Sequence, residues 1–77
     1  MDKENLNKII KIISKNANIN ENSIHEDSSM ETLPKWDSLA HLRIMMDIEK
    51  TYKKKISTSK MSELNSVCKI INFLNNK

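Results

Sequence analysis

Seventy-seven residues with a net charge of +3 and no glycine leave room for one domain, and a chain this short hides only about 60% of its unfolded surface. That suffices for a modest apolar core and not for a deep catalytic cleft. His25 and His41 are the only histidines and Cys68 the only cysteine, and no Gly-rich phosphate loop or nucleophile–base pairing can be read along the chain, so composition speaks against an enzyme.

A single cysteine excludes an internal disulfide framework. No run approaches the roughly 20 apolar residues of a membrane span, and the start Met-Asp-Lys-Glu-Asn lacks the apolar segment of a signal peptide. The expectation is a cytoplasmic monomer with no membrane span. Charge is unevenly placed. Residues 18–37 hold Glu21, Glu26, Asp27, Glu31 and Asp37 against Lys35, a balance of −4. Residues 43–60 hold Arg43, Lys50, Lys53, Lys54, Lys55 and Lys60 against Asp47 and Glu49, a balance of +4. Opposite fields on two segments suit steering toward protein partners.

In chain order, Leu6, Ile9, Ile10, Ile13 and Ala17 recur at helical spacing with Ile12 widening the face, which predicts a first helix over about Lys3 to Asn16. Lys8, Lys11 and Lys15 fall on its other side. The asparagines at 16, 18, 20 and 22 then argue for a stop, because their side chains compete for backbone hydrogen bonds. Residues 18–36 carry no sustained period and are long for an inter-helix connection. Ile19, Ile24, Met30, Leu33 and Trp36 are the expected anchors of this loop, with a short helical turn near Ser28–Leu33.

A second helix is expected from Asp37 to Tyr52. Asp37 is a good N-cap, and apolar side chains follow at 39, 42, 45, 46 and 52, broadened by Ile44 and Ile48. So wide an arc predicts packing against more than one neighbour. Lys53–Lys55 fall at the helix C-terminus, where the dipole favours cations. Ile56 reads as a buried plug, and residues 57–64 as a connection with one short helical turn, Met61 and Leu64 inward. Ser66 caps a last helix with Val67, Ile70, Ile71 and Leu74 inward, Phe73 at the border and Cys68 expected to be buried beside them. The fold class is all-α, a small four-helix bundle with a long first loop and a short third helix.

The feature that carries chemistry is Trp36-Asp37-Ser38-Leu39. With Asp37 as cap, Ser38 takes the first helical position, its hydroxyl free of capping duty. A phosphate joined to it would meet unpaired N–H groups at the positive end of the helix. Asp-Ser at a helix start is also ordinary capping chemistry, and these two residues alone do not decide between the readings.

Asp37-Ser38-Leu39, followed by Leu42, Ile44-Met45-Met46, Ile48-Glu49 and Tyr52, resembles the acyl carrier protein family, and the similarity extends over most of the chain. The resemblance implies that Ser38 is esterified by 4′-phosphopantetheine, donated from coenzyme A by a phosphopantetheinyl transferase with Mg²⁺. Asp37 would cap the helix and help organise that metal, and Leu39 would sit at the partner-contacting edge. His41, Arg43 and Trp36 are further candidates for partner contact. Leu42, Met45, Met46, Ile56 and Ile71 would line the core, where a short acyl chain would shelter beside adaptable methionines. An acyl- or aminoacyl-loading ligase and a downstream acyltransferase or synthase are the implied partners, in fatty-acid or secondary-metabolite biosynthesis.

Two departures stand out. Most members have a strongly acidic second helix that docks on basic patches, whereas here Ala40, His41 and Arg43 follow the motif, and Asp47 and Glu49 are its only carboxylates. Trp36 stands where small residues are usual. Trp-Asp-Ser-Leu-x-His resembles carriers dedicated to specialised pathways, and a dedicated carrier is preferred over a housekeeping one. Two rivals remain. One is a carrier-like interaction module without cofactor. The other is a helix-turn-helix nucleic-acid binder, which would want a short turn and a basic second helix where this chain has a long acidic loop.

Overall fold

The computed structural model describes residues 3–75; Met1 and Asp2, part of the start read above as lacking a signal peptide, lie outside them. Four α-helices and no strand occur among the described residues: α1 Lys3–Ala17, α2 Ser38–Tyr52, α3 Thr58–Glu63 and α4 Val67–Asn75. The chain is all-α, with a long connection between α1 and α2 and a short α3.

The apolar periodicity of α1 does what it predicts. Ile9, Ile12, Ile13 and Ala17 are buried, and Lys8, Lys11 and Lys15 are exposed. Helix α1 packs against both α2 and α4. It meets Ile44, Met45 and Ile48 from α2 and Val67, Ile70, Ile71 and Leu74 from α4 in one core. Each fully buried Ile contributes about 1.5–3 kcal/mol relative to exposure.

With no glycine to supply left-handed backbone, asparagine and lysine do so. Asn18 (φ 56°) and Lys53 (φ 53°) follow the last turns of α1 and α2. The amide of Ile19 donates to the Ser14 carbonyl at 3.2 Å, and that of Lys54 to the Glu49 carbonyl at 3.1 Å. Each is the long-range bond of a Schellman ending, which satisfies a carbonyl the helix would leave orphaned. The asparagine run therefore does end α1, through backbone geometry at one of its members.

The acidic loop is built rather than slack. Ile19, Ile24 and Trp36 are buried, and Met30 and Leu33 pack partly against the core, as their anchoring role requires. The short helical turn expected near Ser28–Leu33 is present as a single turn, the amides of Thr32 and Leu33 both donating to the Ser29 carbonyl at 3.1 and 3.0 Å; a 3₁₀ turn forms earlier, at Glu21–Ser23, with the Asn20 side chain accepting from the Asn22 amide. At the start of that turn the backbone also pairs with the head of α4. Met30 donates to the Asn65 carbonyl and Val67 to the Ser28 carbonyl, both at 3.0 Å, an antiparallel bridge between Ser29 and Ser66. Ser29 thus pairs across to Ser66 and at the same time opens the local turn to Leu33.

Three apolar side chains of α2 do not enter the core. Leu39, Leu42 and Met46 are 60%, 49% and 57% exposed. Leu42 and Met46 were expected inside, and this is a correction. Successive helical residues turn by about 100°, so the side of α2 facing the core takes Ala40, Ile44, Met45 and Ile48 and leaves 39, 42 and 46 on the outward arc. The apolar arc is wider than the neighbours available to cover it. Cys68 is likewise exposed, contrary to the buried position expected beside Val67.

Candidate functional site

The start of α2 is set by Asp37. Its backbone is extended (φ −92°, ψ −175°), its Oδ1 accepts from the Ala40 amide at 2.9 Å, and its carbonyl accepts the first intrahelical bond from His41 at 2.8 Å. Ser38 is therefore the first helical residue. It is exposed, and its hydroxyl is not needed for capping because Asp37 already fills that role. The amides of Ser38 and Leu39 precede the first intrahelical bond and carry the positive end of the helix dipole.

Ser38 borders a cleft of about 370 Å³ between α2, α3 and the loop, lined also by Met30, His41, Leu42, Met45 and Met61. Met45 closes it from within, and Leu42 stands at its edge while remaining solvent-exposed. Met46, Ile56 and Ile71 take no part in its lining; Ile56 and Ile71 are core residues. A larger hollow of about 440 Å³ beside Ile19, Leu33 and Pro34 shares no residue with this cleft.

Trp36 and His41, expected among the partner contacts, are enclosed, with 1% and 8% of their surfaces exposed. Trp36 Nε1–H donates to His41 Nδ1 at 3.0 Å, and His41 Nε2 lies 2.7 Å from the Met61 carbonyl oxygen. An indole N–H can only donate and a carbonyl can only accept. A neutral imidazole with its proton on Nε2 satisfies both at once. The ring is a strut joining the end of the loop, the first turn of α2 and α3. Buried in this way, the pair has no face to offer a partner, and its service to the site is to hold the turn that carries Ser38. The sequence did contain a signal: His41 lies three, four and seven residues before Ile44, Met45 and Ile48, on the inward side of the helix.

Leu39 and Arg43 are exposed, as a contact role requires. The two carboxylates of α2 are turned to internal use. Asp47 accepts from Asn16 Nδ2 at 2.9 Å and Thr51 Oγ1 at 3.2 Å, with Lys15 Nζ at 4.0 Å. Glu49 Oε2 accepts from the Ile56 amide at 2.8 Å, which seats Ile56 in the core. His25 is exposed and belongs to no metal-ligating cluster; none occurs among the described residues.

No protein-family model matches the chain, and no curated protein matches it. No helix among the described residues is long and apolar enough to cross a membrane.

Proposed function

We propose that this chain is an acyl carrier of a dedicated pathway, with an acyl-carrier-like bundle that presents Ser38 for modification by 4′-phosphopantetheine from coenzyme A. A phosphopantetheinyl transferase installs the arm. A loading ligase and a downstream acyltransferase or synthase then work on acyl or aminoacyl groups held as thioesters. The protein is not itself the catalyst, and it acts as a cytoplasmic monomer.

The observation that carries this reading is an exposed serine at the first residue of a helix whose cap is supplied by the residue before it. The residues present fit the group. A phosphodiester on Ser38 Oγ would lie at the helix N-terminus, beside the amides of Ser38 and Leu39, with the apolar edge of the cleft at Leu42, Met45 and Met61 next to it. When bound, the arm supplies a thiol whose thioesters keep the acyl carbon electrophilic, and the tether raises effective concentration at each partner. The chain's own residues anchor and orient. Asp37 fixes the helix start, the Trp36–His41–Met61 strut holds the first turn against α3, and Leu39 borders the attachment point.

The test is intact mass after incubation with coenzyme A, Mg²⁺ and a broad-specificity transferase. The wild type gains one phosphopantetheine and Ser38→Ala none. No gain on folded wild type with several transferases would refute the carrier reading and leave a cofactor-free interaction module.

A further inference from the structure

Leu39, Leu42 and Met46 stand at i, i+3 and i+7 along α2, neighbours on one helical stripe. They are the large exposed hydrophobics among the described residues. Contiguous exposed apolar patches on small proteins mark contact sites more often than scattered single residues do. Arg43 and Lys50 are exposed beside the stripe, and Lys53 is exposed at its far end. The helix's carboxylates do not offset them outward, because Asp47 is engaged by Asn16, Thr51 and Lys15 and Glu49 by the Ile56 amide. The outward face of α2 is therefore apolar along its middle and cationic along its border.

We propose that this face docks a partner protein presenting an apolar ridge flanked by carboxylates. An apolar centre with a charged rim is the general anatomy of such contacts, and the cations set the sign of the partner's rim. A second copy of this chain does not supply the complement. Its acidic loop exposes Glu21, Glu26, Asp27 and Glu31, but of its apolar side chains it buries Ile19, Ile24 and Trp36 in its own core and leaves only Met30, Leu33 and Pro34 partly or fully outward, lining a hollow at Leu33 and Pro34 in place of a ridge. A membrane surface fits less well, since an interfacial helix commits a broad apolar face with aromatic anchors, whereas the other half of α2 is occupied by the bundle core and the stripe holds no aromatic. The proposal deepens the carrier reading and rests on it for why the face adjoins Ser38.

The test is a two-dimensional ¹⁵N NMR titration of the whole chain with defined probes. These are a synthetic amphipathic helical peptide with a leucine ridge flanked by glutamates, the same peptide with lysines for glutamates, and vesicles of phosphatidylglycerol and phosphatidylcholine. Saturable shifts confined to residues 38–53 are expected with the acidic peptide. The double variant R43E/K50E, with circular dichroism unchanged, should weaken that peptide about tenfold or more and favour the basic one. Leu42→Ser with Met46→Ser should abolish saturation by either. Ser38→Ala, which removes the attachment point alone, should bind like wild type, so the docking face and the carrier reading fail separately. Equal binding of both peptides, binding of neither, tighter binding to vesicles, or concentration-dependent shifts of the protein alone over the same residues would each overturn the proposal.

Discussion

Replacing His41 tests the strut beneath the site. In His41→Ala the Trp36 indole N–H loses its acceptor inside a core that exposes 1% of that residue, and the Met61 carbonyl loses its donor. An orphaned buried polar group costs about 1–3 kcal/mol. Met61 is only partly buried, so water recovers some of its share, while the missing ring adds a cavity cost. The expected loss is about 2–5 kcal/mol, against a total of about 4–12 kcal/mol for a domain of this length. At about 4–8 °C per kcal/mol, the melting temperature should fall by at least about 8 °C. Gln reaches toward the Nε2 position and can still donate to Met61; Asn places an acceptor near Nδ1 for Trp36. Both should therefore lie between wild type and Ala. Urea unfolding followed by far-ultraviolet circular dichroism measures all of them, and also Trp36→Phe and the double variant Trp36→Phe/His41→Ala. The cycle should return a coupling of about 1–2 kcal/mol. A His41→Ala protein within about 0.5 kcal/mol of wild type, or a coupling near zero, would refute the reasoning.

The helix start and the exposed thiol offer two further checks. Asp37→Ala removes the acceptor for the Ala40 amide and should cost about 0.5–2 kcal/mol, whereas Asp37→Asn, which keeps a capping oxygen, should cost clearly less in the same unfolding assay. Cys68 is exposed on α4, so an aromatic disulfide reagent should label one thiol in native buffer at a rate within about tenfold of that in urea; stronger protection would contradict the structure.

The helices were legible because their signals are local. The apolar period of α1 and α4, Asp37 as a cap, and Ser57 and Ser66 at the heads of α3 and α4, where their hydroxyls accept from the amides of Lys60 and Lys69, can each be read within a few residues. Ser38 was placed at a helix start for the same reason. What escaped depends on distant partners. The bridge between Ser29 and Ser66 ties the loop to the head of α4, and no window around either residue announces it. The outward position of Leu42 and Met46 depends on how many neighbours α2 acquires, which its own pattern cannot count. His41 is polar yet stands at inward spacing on α2, and its polarity points to contact where its spacing points to the core. The hydrogen bonds that make burial affordable for an imidazole come from Trp36 and from a carbonyl twenty residues downstream.

The pairing of residues 28–30 with 65–67 has a mechanical consequence for whatever is joined to Ser38. The stretch leading into α2 is stitched to the head of α4 on one side and braced by the indole on the other, so the backbone before Ser38 is held at two points. Any cargo hung from that oxygen must explore its surroundings through its own rotatable bonds, and its sweep is set by tether length rather than by backbone swing.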